Sequence, residues 1–118
     1  VEPSRRSFQS WRALRDGDRS KFDESQEQMQ QDIENAKHPV VQNALRHMWS
    51  LCQAQLYQLL ATSGTATEEE LAAQAERVIA AVRANIAPEG SDQQYFLSLP
   101  EFDAIRQTEV FRREFSQR

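Results

Sequence analysis

The chain has 118 residues, a formal net charge of −4, a mean hydropathy of −0.74 and one cysteine. That length suffices for one hydrophobic core, burying roughly two-thirds of the surface its unfolded chain exposes. Cys52 has no second cysteine to pair with, no apolar run approaches the ~20 residues of a membrane span, and the acidic balance disfavours nonspecific adhesion to nucleic acid or anionic membrane.

Glycine and proline punctuate the chain at Pro3, Gly17, Pro39, Gly64, Pro88, Gly90 and Pro100, and apolar residues between them recur at helical spacing. The first segment, about 4–15, places Phe8, Trp11 and Leu14 three apart as an apolar stripe, with Gly17 as its stop. The second, about 20–37, takes Ser20 as its N-cap and carries a thin stripe of Phe22, Met29, Ile33 and Ala36. Glutamines fill much of its remainder, so it reads as a surface helix packed along one edge.

The third segment, from Pro39 to about Thr62, is read as the centre of the fold. Val41, Leu45, Met48, Trp49, Cys52, Leu56, Leu59 and Leu60 fall within one apolar arc of about 120° at the helical repeat. Tyr57 sits on the polar flank of that arc. The fourth opens on Thr67-Glu68-Glu69-Glu70, a capping box, and carries Leu71, Ala75, Val78, Ile79, Val82 and Ile86 along one stripe. Behind that stripe runs a line of Ala73, Ala80, Ala84 and Ala87. Asp92 to Leu97 is a short helical turn, and Ser98-Leu99-Pro100-Glu101 reads as a second capping box opening a last helix to about Phe115.

That last helix is two-sided. Leu99, Phe102, Ile105 and Val110 lie on one side, Phe111 and Phe115 nearly opposite. Three arrangements resolve this: a break near Thr108, a helix sandwiched between layers, or a partner that covers Phe111 and Phe115. The expected architecture is all-α, a five- or six-helix bundle-like or orthogonal domain around the helix at about 39–62. It is a single domain over 1–118, and Val1 in place of Met suggests a fragment or processed product.

No motif that carries chemistry stands out. Three separated glycines cannot build a phosphate loop, and His47 and Cys52 lie about 140° apart around their helix. One cysteine and two histidines are too few for a zinc site, and haem ligation by His38 or His47 with Met29 or Met48 has little to recommend it, so no metal or cofactor is expected. Cys52 reads as a small buried hydrophobe, and Asp23, Glu27 and Glu34 as a solvated acidic face. Charge is uneven: residues 1–21 carry six basic against three acidic side chains, residues 22–37 one basic against five acidic. The basic opening segment is expected to dock on acidic helices of its own or a neighbouring chain.

The expectation is a non-enzymatic regulatory or protein-interaction domain that self-associates through its C-terminal helix. Its candidate interface is Phe111 and Phe115 with Ala73, Ala80 and Ala84. The alternative is a small-molecule-sensing helical domain of a larger regulator, its pocket lined by Trp11, His47, Trp49, Tyr57, Tyr95 and Phe96. Expected partners are another protein or a second copy in a homodimer, with a small-molecule ligand in the alternative, no direct nucleic-acid binding, no membrane, and a cytoplasmic setting.

Overall fold

The computed structural model describes residues 3–85 and 92–115, with side chains from Phe8 to Asn85 and from Gln93 to Phe115. Ile86, Ala87 and the Pro88–Gly90 turn lie outside the described residues, as do the side chains of Arg5 and Arg6. The fold is all-α. In chain order it comprises α1 (Pro3–Arg15), α2 (Arg19–Asn35), α3 (Pro39–Ser63), α4 (Glu68–Asn85) and α5 (Asp92–Leu97). A 3-10 turn (Pro100–Phe102), α6 (Asp103–Arg106) and α7 (Glu109–Glu114) follow. There is no strand among the described residues, and none of their helices is long and apolar enough to cross a membrane. Two compact units divide the chain, Val1–Cys52 and Gln53–Arg118, the boundary falling inside α3.

In the first unit α1 ends on Gly17, whose φ of 74° is a left-handed conformation that glycine alone adopts without steric cost. Asp18 N–H reaches back to the Ala13 carbonyl (2.8 Å) and Gly17 N–H to that of Leu14 (3.1 Å), satisfying two orphan carbonyls of the last turn. The N-cap of α2 is Asp18, not Ser20: Asp18 Oδ1 accepts from Lys21 N–H at 3.0 Å. The chain reverses within Asp16–Gly17, so the first carboxylate after the reversal takes the cap and Ser20 already lies inside the helix.

α1 packs along α2, but not through the expected stripe. Among the described side chains of α1, Ser10, Ala13 and Leu14 are buried, while Phe8 and Trp11 are exposed. Two hydroxyls and an amide occupy the seam. Ser25 Oγ donates to the Phe22 carbonyl (3.0 Å), which commits its one proton; Ser10 Oγ therefore donates to Ser25 Oγ (2.5 Å) and accepts from Gln26 Nε2 (2.9 Å). Beyond this seam Met29, Ile33 and Leu45 form a cluster against which Ala36, Val41, Met48 and Trp49 pack. Trp49 Nε1 donates to the Gln26 carbonyl (3.2 Å), and Gln42 Nε2 closes the end of α2 on the Ile33 carbonyl (2.9 Å).

The expected centre, α3, is continuous, with Leu45, Cys52 and Leu56 buried. From Ser50 to Tyr57 burial extends around more of its circumference, taking in Gln53, Ala54 and Tyr57. Tyr57 is thus a core residue and not on a polar flank, whereas Leu59 faces solvent.

In the second unit Gly64 (φ 75°) ends α3, and α4 starts on the anticipated capping box. Glu70 N–H donates to Thr67 Oγ1 (3.1 Å), and Thr67 N–H to Glu70 Oε1 (2.9 Å). Buried Gln74 of α4 donates through Nε2 to both the carbonyl and Oε1 of Gln53, each at 3.0 Å, and accepts from Arg77 (3.1 Å). Ala75, Val78, Ile79, Ala81 and Val82 complete the buried face of α4.

The segment read as one last helix is three short pieces. Leu99 is extended (ψ 152°) ahead of Pro100, and Thr108 is extended (ψ 148°) between α6 and α7. The second capping box does not form: Ser98 Oγ donates to the Tyr95 carbonyl at 2.6 Å, and Leu99 caps with no side-chain bond. Thr108 does double duty, donating to the Ile105 carbonyl (2.7 Å) and capping α7 by accepting from Phe111 N–H (3.2 Å). The break redirects α7, so that Phe111 is buried on the same side as Phe102 and Ile105. Two one-sided helices replace the two-sided one. Arg106 locks the preceding turn through the Leu97 (2.5 Å) and Leu99 (3.0 Å) carbonyls and an ion pair to Asp103.

Candidate functional site

Of the six aromatic and histidine candidates, three belong to each unit. In the first, Trp11 faces solvent, while Trp49 packs on the Met29–Ile33–Leu45 cluster. His47 is half-buried, its Nδ1 donating to the Asn43 carbonyl (2.7 Å) of its own helix. In the second, Tyr57 and Phe96 are buried and Tyr95, next in the chain to Phe96, is 70% exposed. Phe96 meets Phe102 edge-on with ring centroids 5.3 Å apart, so it is a core contact. Burial raises the Tyr57 phenol above its ordinary pKa, which extends its neutral form further into the alkaline range. None of the six lines either cleft described below.

The interface candidates are rearranged. Phe111 is 5% exposed, its ring centroid 6.4 Å from that of Phe102 and 4.9 Å from that of half-buried Phe115. Of the three arrangements the two-sided pattern allowed, the break near Thr108 is the one found; it sends Phe111 into its own unit's core, so Phe111 is corrected from an exposed interface candidate to a core residue. Ala73, Ala80 and Ala84 do face solvent. The structure brings Ala80 and Ala84 together with the C-terminal helix through Val110, a residue the sequence had assigned to the opposite side. Ile79, Ala80, Ala84 and Val110 floor an open groove of about 620 Å³ between α4 and α7, rimmed by Glu76, Arg83, Arg113 and Glu114. Arg83 forms an ion pair with Glu114, beside which Arg113 Nε lies 3.9 Å from Glu114 Oε2.

A second surface went unrecognised in the sequence. Phe8 and Trp11 stack with centroids 5.9 Å apart and planes 28° apart, at 52% and 41% exposure. Arg12 lies over the Phe8 ring and Arg15 over the Trp11 ring, each at 5.2 Å. The signal was present as the spacing 8, 11, 12, 15, one helix face. Ser10 and Ala13 are too weakly apolar to reveal that the opposite face packs.

A smaller polar cleft of about 290 Å³ lies between α1 and α2, where Arg12 and Lys21 are interspersed with Asp16, Asp18 and Glu24. Asp23, Glu27 and Glu34 are exposed, and Cys52 is buried. Among the described residues no three His, Cys, Asp or Glu side chains are grouped to hold a metal ion. The groove between α4 and α7 has an apolar floor with charge at its margins, and the Phe8–Trp11 pair carries a guanidinium group over each ring. The chain matches no family model, no curated protein and no solved structure.

Proposed function

We propose that this chain is a non-enzymatic, regulatory protein-interaction domain that self-associates through the groove between α4 and α7. The observation that carries the reading is the floor of Ile79, Ala80, Ala84 and Val110, open to solvent and bordered by both signs of charge. Small floor residues let a second helix approach toward the low end of the usual 8–10 Å interaxial range. Glu76 and Arg83 lie seven apart on either side of Ala80. Two α4 helices paired antiparallel about Ala80 would set Glu76 of one copy near Arg83 of the other, twice, as an isologous contact requires. A cytoplasmic setting belongs to the same reading, in keeping with a sequence whose one cysteine has no second to pair with.

Size-exclusion chromatography with light scattering tests it. A dimer at micromolar concentration should become monomeric in Ala80→Arg with Ala84→Glu, with the circular dichroism of the folded subunit unchanged because both positions face solvent within it. A monomer at every concentration would remove the proposal. Phe111→Asp is unsuited to the test, since it would place a charge in the core.

A further inference from the structure

α1 has two faces with different chemistry. Ser10, Ala13 and Leu14 are buried, and Phe8, Trp11, Arg12 and Arg15 occupy the outward side at positions i, i+3, i+4 and i+7. That is the anchor spacing by which one helix face meets another helix. Trp and Arg are the residue types most enriched among contacts that dominate binding energy. Arg15 is ion-paired only with its exposed neighbour Asp16, at 3.4 Å, and among the described residues no carboxylate lies within ion-pair distance of Arg12.

We propose that the outward face of α1 is a docking surface for an acidic amphipathic helix supplied by another protein. Two guanidinium groups call for carboxylates, and two stacked rings call for apolar side chains within the same partner face. Among the described residues, neither α2 nor the α4–α7 groove supplies that combination, and the exposed apolar residues beside Glu68, Glu69, Glu70 and Glu76 of α4 are small alanines. Every exposed residue of α2 is polar or charged, so its Asp23–Glu27–Glu34 face offers carboxylates with nothing apolar between them. The α4–α7 groove offers an apolar floor, but its rim carries two acids and two arginines and has no net negative charge. A second copy is therefore a poorer match than a partner whose apolar stripe is flanked by Asp or Glu.

The test is a titration with a synthetic amphipathic helix of about five turns built from Leu and Glu. Its charge-reversed Leu–Lys counterpart and phosphatidylserine vesicles are run alongside. Tryptophan emission is read as the difference between the native chain and Trp11→Phe, which isolates Trp11 from Trp49, whose indole N–H is held by the Gln26 carbonyl. The Leu–Glu helix should give a saturable blue shift, with affinity falling at least about tenfold in Arg12→Glu with Arg15→Glu. Binding should persist in Ala84→Glu, which separates this surface from the groove of the proposed function. All four side chains face water, so circular dichroism of the variants should match that of the native chain. No shift with the Leu–Glu helix, equal binding by the charge-reversed variant, or a shift from vesicles or the Leu–Lys helix instead would each overturn the proposal.

Discussion

Replacing Gln74 with leucine should destabilise the second unit by about 2–3 kcal/mol, although leucine is the more apolar residue. Gln74 is 1% exposed and uses its whole amide: Nε2 serves two Gln53 oxygens at 3.0 Å, and Oε1 accepts from Arg77 at 3.1 Å. Each such bond contributes about 1 kcal/mol net, and a buried polar group deprived of its partner costs a further 1–3 kcal/mol, which leucine burial only partly offsets. The Gln53 backbone carbonyl keeps its place in the helix ladder and Arg77 is exposed to water, so the penalty concentrates on Gln53 Oε1. Removing both amides, in Gln53→Leu with Gln74→Leu, should recover part of that loss, because the Gln53–Gln74 pair is then removed from both sides. Urea unfolding followed by circular dichroism measures both steps, with the m-value showing whether the exposed surface changed. A neutral single variant, or a double variant worse than the single, would show that the two glutamines do not act as a pair.

Phe102→Ala should cost about 3–5 kcal/mol, since Phe102 is fully buried between Phe96 and Phe111; Phe8→Ala, on an exposed ring, should change urea stability by less than about 0.5 kcal/mol. Thr67→Ala should cost about 1 kcal/mol as a lost cap of α4, and Thr108→Ala at least as much, because Thr108 both caps α7 and holds the Ile105 carbonyl. The Tyr57 phenol is raised above its ordinary value of 10.0 by burial, so above that pH the unfolded chain releases its proton first and the folded chain binds more. Its contribution is complete below pH 10 and is lost as pH climbs toward the folded value; in alkaline titrations Tyr57→Phe should lose stability less steeply than the native chain.

Much of the fold could be read from the residues because strong signals acted alone. The Thr67–Glu70 box, the glycine stops at Gly17 and Gly64, and the long stripe holding Leu45, Cys52 and Leu56 each found the structure they implied. Tertiary packing decided the rest. The Phe8–Trp11–Leu14 triplet is as good a stripe as Ser10–Ala13–Leu14 is a poor one, yet hydrogen bonds among Ser10, Ser25 and Gln26 let the weaker face pack. Ser98–Glu101 resembles Thr67–Glu70 in pattern, but Pro100 has no N–H and Ser98 turned back to Tyr95. The candidate site was half legible: Ala80 and Ala84 do line a groove, whereas Phe111 was placed at the interface although the break near Thr108, one of the three arrangements its two-sided pattern allowed, turns it into the core.

The position of Cys52 makes the chain its own probe of motion. The sole thiol is 2% exposed and sits in α3 as the last residue of the first unit. A thiol reacts only when solvent reaches it, so the rate at which an alkylating reagent consumes Cys52 clocks how often the middle of that helix breathes. No label has to be engineered in, and a single modified mass per molecule gives the answer.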